Sequence, residues 1–198
     1  MVTRQFPSFG LATVQRTPCN PDTDSSTKAT VSLMQQYIRA AAVHPAIVDA
    51  TRQALTCVPA GAPAWRKADA IFAWVKRHQR FETDESILAR SFGLGPDNEL
   101  LIRPELFLRA RRGDCDDFTM LTCSMLLAAG VEARMVTIAA DGGDPHRFSH
   151  VYALAVLENG ESIPMDTSHG LTSAGKRPAP SGKSSGRHEL RRWRFSRT

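Results

Sequence analysis

Apolar residues between 28 and 57 recur at helical spacing: Val31, Met34, Ile38, Ala41 and Ala42. Pro45 interrupts the run. The residue before a proline avoids the α region, so His44 marks a turn between two helices. "VPAGAPA" (58–64) reads as a linker. "AWRKADAIFAWVKRHQRF" follows as a third helix. Its buried stripe is Ala68, Ile71, Phe72 and Val75, with Trp65 one turn before. "GLGPDN" is a turn region, and "PELFLRARRGD" leads into the next helical pattern, Asp114 to Ala129. Asp114 suits the N-cap and Gly130 the C-terminal stop. Cys115, Phe118, Thr119, Thr122, Cys123 and Leu126 form one inward stripe along this helix.

Beyond Gly130 the period changes. "EARMVTIAA" predicts a strand and "DGGDPHR" a turn. "FSHVYALAVLE" predicts a second strand and "ESIPMD" a third, joined at Asn159-Gly160. A helix followed by an antiparallel meander, with helices ahead of it, places the chain in the α+β class. The expected organisation is an irregular arm (1–27), rich in Pro, Ser, Thr and Asp, then an N-terminal helical segment and linker (28–63). A core (64–175) and a basic tail (176–198) follow.

Composition adds bounds. The 198 residues are 42% hydrophobic and 23% charged, enough for one domain with a full core. No apolar run approaches the ~20 residues that span a bilayer. The N-terminal stretch lacks the apolar region of a secretory signal, so a cytoplasmic location and no membrane contact are expected. The net charge of +5 is uneven. Residues 176–198 hold eight Lys or Arg and one Glu, whereas residues 1–175 hold 17 basic and 19 acidic side chains. The basic character therefore belongs to the tail, which reads as a solvated end rich in Gly, Ser and Pro. Leu190, Trp193 and Phe195 could dock it back onto the body. Nucleic acid is not an expected partner apart from contacts by this tail, and composition leaves oligomeric state open. Cys19, Cys57, Cys115 and Cys123 form no C-x-x-C pair. Eight helical residues set Cys115 and Cys123 roughly 12 Å apart, too far for a disulfide, which implies free thiols and a reducing compartment.

Candidate chemistry centres on "RRGDCDDFTML" (111–121), where Cys115 lies among Asp114, Asp116 and Asp117. Carboxylates oppose thiolate formation. The helix start favours it, because unpaired N–H groups and the helix dipole face the sulfur. The aspartates are expected to point outward and satisfy first-turn amides. His150 lies early in the second strand and Asp166 ends the third. Cys, His and Asp in this order constitute an activated-thiol triad: the imidazole takes the thiol proton, and the carboxylate orients the imidazole and stabilises its cation. The backbone N–H of Cys115 is a natural oxyanion donor, and Gln79 is a candidate for a second. Cys115, His146, His150, His169 and the aspartates contain metal-ligating types, but zinc spacing is absent and "DCDD" fails the calcium-loop register. No metal or cofactor is expected.

These residues carry a resemblance. Gly113-Asp114-Cys115-Asp116-Asp117 opening a helix, Ser149-His150-Val151 on a strand, and Asp166-Thr167-Ser168 ending the next strand resemble the transglutaminase-like superfamily. "AIFAWVKRHQRFETD" is similar to the helix that precedes its core. The likeness covers roughly residues 64–170, and the first helices are similar to those of bacterial and phage-encoded members. It implies a papain-like α+β fold with extra N-terminal helices, in which the cysteine helix packs on an antiparallel sheet. It implies thiol acyl chemistry on an amide of a protein or peptide, with water or an amine as acceptor. A catalytically silent module, such as a phage-particle component, is the alternative. The superfamily often has Tyr where Phe81 stands, a departure that removes a polar group.

The triad also constrains register. A two-residue turn at Asn159-Gly160 would set Asp166 opposite Ala153, on the other sheet face from His150. A three-residue loop, Glu158-Asn159-Gly160, sets Asp166 opposite Tyr152 and diagonal to His150, with Cβ atoms about 7–8 Å apart. Gly160 would take the left-handed position of a bulge. The expectation is the three-residue loop.

Overall fold

The computed structural model describes residues 2–6, 10–15, 23–92, 99–140, 148–168 and 190–194. Helices α1 (Thr23–Ala42) and α2 (Pro45–Ala54) meet at the expected break. His44 is the N-cap of α2, its Nδ1 accepting from the Ala46 amide at 3.2 Å. Helix α3 (Ala64–His78) buries Ala68, Ile71, Phe72 and Val75, the stripe read from the sequence. Two-residue strands β3 (Arg80–Phe81) and β5 (Arg112–Gly113) pair in parallel. Between them lie α4 (Asp84–Phe92), β4 (Glu99–Leu101) and α5 (Pro104–Ala110).

Helix α6 (Cys115–Ala128) is the centre of the molecule. Every residue from Asp116 to Leu126 is buried, not the single stripe expected. Helical periodicity marks one face only when the other meets water. Here α1, α2, α3 and α5 surround the sides that the sheet leaves open. Asp114 caps the start. Gly130, at φ +73°, lets the Gly130 and Val131 amides bond back to Leu127 and Leu126.

The main sheet contains β6 (Glu132–Ile138), β7 (His150–Val156) and β8 (Ser162–Met165) as an antiparallel meander. Ala133, Met135, Val151, Ala153, Ala155 and Met165 join the main core with α6. Val136, Ile138, Tyr152 and Leu154 form a second apolar cluster. This is the α+β architecture of the sequence reading, a central helix packed on an antiparallel sheet with additional N-terminal helices.

Two terminal expectations change. The arm expected to be irregular contains β1 (Val2–Phe6) and β2 (Gly10–Gln15), an antiparallel pair, and α1 already begins at Thr23. Strand β2 also pairs with β4, a partner far along the chain that local composition does not display. The tail, read as solvated, docks back at the residues that could do so: Leu190–Arg194 form β9, which pairs with β6 and gives the sheet order β8-β7-β6-β9. Trp193 anchors it, its Nε1 donating to Thr137 Oγ1 at 3.2 Å. Phe195 lies outside the described residues, as do the turn regions 93–98 and 141–147. Among the described residues no helix is long and apolar enough to cross a membrane.

Candidate active site

The β7–β8 hairpin has the three-residue loop. Val156 pairs with Ser162 and Ala153 with Met165, so the ladder continued by one step sets Asp166 opposite Tyr152. The Leu157 amide donates to Glu161 O at 2.8 Å, and the Gly160 amide to Leu157 O at 2.9 Å. Gly160 has φ +83°, the left-handed conformation the bulge requires. The loop also reaches the helical layer. Glu158 Oε1 accepts from the Ala64 amide at 2.7 Å, at the start of α3, where Pro63 offers no side-chain cap.

This register brings His150 and Asp166 together. His150 Nε2 lies 2.8 Å from Asp166 Oδ2, both side chains being buried. The second oxygen, Asp166 Oδ1, accepts from the Ser168 amide at 3.2 Å and from its hydroxyl at 2.8 Å. A carboxylate held on both oxygens cannot rotate away from the ring, and a charge-assisted bond of this kind is stronger than a neutral one. On α3, burial lowers the pKa of Lys76, while the Asp166 carboxylate works to raise it.

Cys115 opens α6 and is partly exposed. Two hydroxyl contacts tie this helix to β7 and to the segment that follows β8. Thr119, one turn on, donates from Oγ1 to Val151 O at 3.1 Å, beside His150. Thr122 Oγ1 lies 2.9 Å from Thr167 Oγ1, beside Asp166. One helical turn is about 5.4 Å, so the Thr119 contact sets the start of the helix against the start of β7. Sequence reasoning assigned these threonines only to an apolar stripe. The available signal was two hydroxyls, three residues apart, among apolar neighbours. Cys123, by contrast, is buried, and burial pushes its thiol pKa far upward. Cys57, Cys115 and Cys123 are free thiols.

The expected capping is made, but Asp116 and Asp117 do not point outward. Asp116 is buried, and Asp117 is wholly so. Asp114 Oδ1 accepts from the Asp116 amide at 3.0 Å, and Asp117 Oδ2 accepts from the Asp114 amide at 3.4 Å, a reciprocal cap. Asp117 Oδ1 accepts from the Ile102 amide at 2.7 Å. The physical reason is the position of α6: helices and sheet pack around it, and Asp116 and Asp117 lie on the covered side of its first turn. Cys115 Sγ lies 3.7 Å from Asp116 Oδ1. Gln79 ends α3, is buried, and its Oε1 has no hydrogen-bond partner. His146 and His169 lie outside the described residues. Two groupings have metal-ligating types close together, Asp114-Cys115-Asp116 and Asp84-Asp114-Asp117. Among the described residues neither includes a histidine; Asp114 and Asp117 cap α6, and Asp84 accepts from the Leu100 amide.

Residues 54–167 match the transglutaminase-like superfamily. The chain belongs to this superfamily. The matched segment runs from the end of α2 to the residue after Asp166 and contains Cys115, His150 and Asp166. Comparison with curated proteins found no match. Among solved structures, the chain is similar to a proposed protease from Parabacteroides distasonis, at 14% identity and TM-score 0.47, over 70% of this chain and 26% of that one. It is similar to a proposed cysteine protease from Cytophaga hutchinsonii, at 19% identity and TM-score 0.42, over 72% and 47%. It is also similar to a transglutaminase, at 13% identity and TM-score 0.42, over 89% and 48%. The chain thus spans between about a quarter and a half of the length of these structures.

Proposed function

We propose that the protein is a thiol-dependent hydrolase or acyltransferase acting on an amide of a protein or peptide, either a peptide bond or a glutamine side chain. Cys115 is the nucleophile, His150 the general base and acid, and Asp166 the residue that orients the imidazole. The observation that carries this reading is the buried 2.8 Å bond between His150 Nε2 and Asp166 Oδ2, on strands tied to the start of the helix that Cys115 opens. Superfamily membership supports it.

The carboxylate engages Nε2, so the thiol proton passes to Nδ1. The thiolate then attacks the amide carbonyl carbon. The negative charge that develops on the carbonyl oxygen is met by the Cys115 backbone N–H, with the Gln79 side-chain amide as the second candidate donor. Imidazolium returns the proton to the departing amine, the C–N bond breaks, and a thioester to Cys115 remains. Water or an incoming amine gives its proton to His150, attacks the thioester and releases the thiol. Water makes the reaction a hydrolysis, and an amine makes it a transamidation.

Substoichiometric iodoacetamide labelling across pH, mapped by mass spectrometry, tests the assignment without a known substrate. Cys115 is expected to label first near neutral pH, ahead of the exposed Cys57, and Cys123 to stay unlabelled in the folded protein. His150→Ala should slow Cys115 labelling and move its pH profile upward, because the thiolate loses its cation. Equal rates for Cys115 and Cys57, unaffected by His150→Ala, would reject the thiol site and leave the fold as a non-catalytic module.

A further inference from the structure

The first turn of α6 is built with more acid than a helix cap needs. Asp114 alone supplies a good N-cap. Asp117 is fully buried, beside Asp114 and Asp84, with one carboxylate oxygen from each residue within 4.8 Å of the others. Burying a carboxyl among carboxyls is unfavourable, so its retained contacts identify what the position requires.

Those contacts join separate parts of the fold. Strand β4 is at the edge of the three-stranded sheet β1-β2-β4. Its inner side pairs with β2 through Thr13 and Leu101. Amides of successive residues in a strand point to opposite edges, and on the outer side no strand among the described residues takes them. The Leu100 amide donates to Asp84 Oδ2 at 2.6 Å and the Ile102 amide to Asp117 Oδ1 at 2.7 Å. Asp117 also receives the Asp114 amide, so a single side chain links the end of β4 to the residue before Cys115. Gly113 makes this possible. A Cβ at Gly113 would collide with Asp117 Oδ2 and stand 2.9 Å from its Cβ and Cγ. The backbone just before the cysteine therefore closes directly over the carboxyl. On its other side, that backbone is held by the residue after β3, where the Glu82 amide donates to Gly113 O at 2.9 Å.

We propose that Asp117 is a positioning residue for the Cys115 thiol, its side chain locking the Ile102 amide to the turn at Gly113-Asp114 so that α6 begins in one place. This rests on the thiol-site reading above. The lock acts through hydrogen bonds and shape, not through a charge presented to the sulfur. Burial, followed by Asp114 and Asp84, raises the Asp117 pKa well above that of an ordinary carboxyl, which favours the neutral acid. An asparagine of the same shape retains the oxygen that accepts from Ile102 but sets an NH2 donor against the Asp114 amide, so it keeps one of the two bonds and loses the other.

The test compares the pH profile of Cys115 alkylation in four variants with the wild type. Asp117→Ala removes the link, and Gly113→Ala displaces the carboxyl without removing it. Both should slow Cys115 alkylation roughly tenfold at neutral pH, equivalent to about one pH unit in the profile. Asp117→Asn, which keeps one of the two bonds, should lie between the wild type and Asp117→Ala, slowed about threefold. Thr51→Ala, which removes a hydroxyl bonded to Ile47 O within α2, should lower the melting temperature and leave the profile unchanged. A wild-type profile in folded Asp117→Ala or Gly113→Ala overturns the lock. A wild-type profile in Asp117→Asn also overturns it, since the bond to the Asp114 amide would then position nothing; this variant decides the matter if the other two do not fold. Failure of the underlying thiol site is recognised separately, by wild-type Cys115 reacting no faster than Cys57.

Discussion

Asp117 occupies a place where ionisation is least favourable: no solvent, and two other acids beside it. Its pH linkage follows. Its folded-state pKa lies above the ordinary 3.8, raised by burial first and by Asp114 and Asp84 next. The folded chain therefore holds this proton more tightly than the unfolded chain does. The stability it contributes is fully present below the unfolded pKa and is lost as pH rises through the folded one. Asp117→Asn has no proton to lose. Urea unfolding should show the variant gaining on the wild type as pH rises from about 4 towards neutral and beyond. A stability difference that stays constant with pH would mean that Asp117 is ionised in the fold. Cys115 and Cys123 show the same principle in thiols: one opens the helix and is partly exposed, while the other is buried two turns deeper.

The β7–β8 hairpin shows how one residue of loop length decides chemistry. Side chains alternate between sheet faces with a period of two, so changing the loop by one residue inverts the parity of everything after it. Glu158, Asn159 and Gly160 give the parity that brings Asp166 to His150. Deleting Asn159 should convert the connection to a two-residue turn, set Asp166 on the opposite face and break the 2.8 Å bond. Turnover on an amide substrate should then fall by roughly 10²-fold or more, the scale of a lost general base. Reinserting a glycine after Gly160 should recover most of it. Activity unaffected by the deletion would remove Asp166 from the proposed triad. Gly160, at φ +83°, makes the bulge at low strain, and Glu158 in the same loop caps α3. The element therefore serves register and packing together.

At the scale of the molecule, both ends of the chain enter sheets. β2 pairs with β4, and β9 closes the edge of β6. Trp193 lies opposite Met135, packs against the main core and bonds to Thr137. Trp193→Ala should therefore destabilise the whole fold by roughly 3 kcal/mol or somewhat less, since the ring is only partly buried. Chemical denaturation measures the loss. No change in the denaturation midpoint would show that β9 is not held by this side chain. Alkylation of Cys115 should keep its pH profile, because β9 lies beyond β6 from the strands of the proposed site.

What the sequence determined by itself were the features set by local physics. The break at His44-Pro45, the stripe of α3, the cap at Asp114, the stop at Gly130 and the meander from Glu132 to Met165 all follow from periodicity, proline geometry and capping. The hairpin register was legible too, because turn length and side-chain parity are counted along the chain. The Cys, His and Asp of the proposed site could be named from their order and the motifs around them. Tertiary structure alone decided the rest. Asp117 turns inward because neighbours distant in sequence surround α6. Thr119 bonds to Val151 on β7 and Thr122 to Thr167 just past β8, partners more than 30 residues later. β1 pairs with its neighbour β2, but β2 and β9 are held in sheets by partners far along the chain, at Glu99–Leu101 and Glu132–Ile138. A segment's own composition reports its propensity, but burial and long-range pairing depend on what the remainder of the chain places beside it.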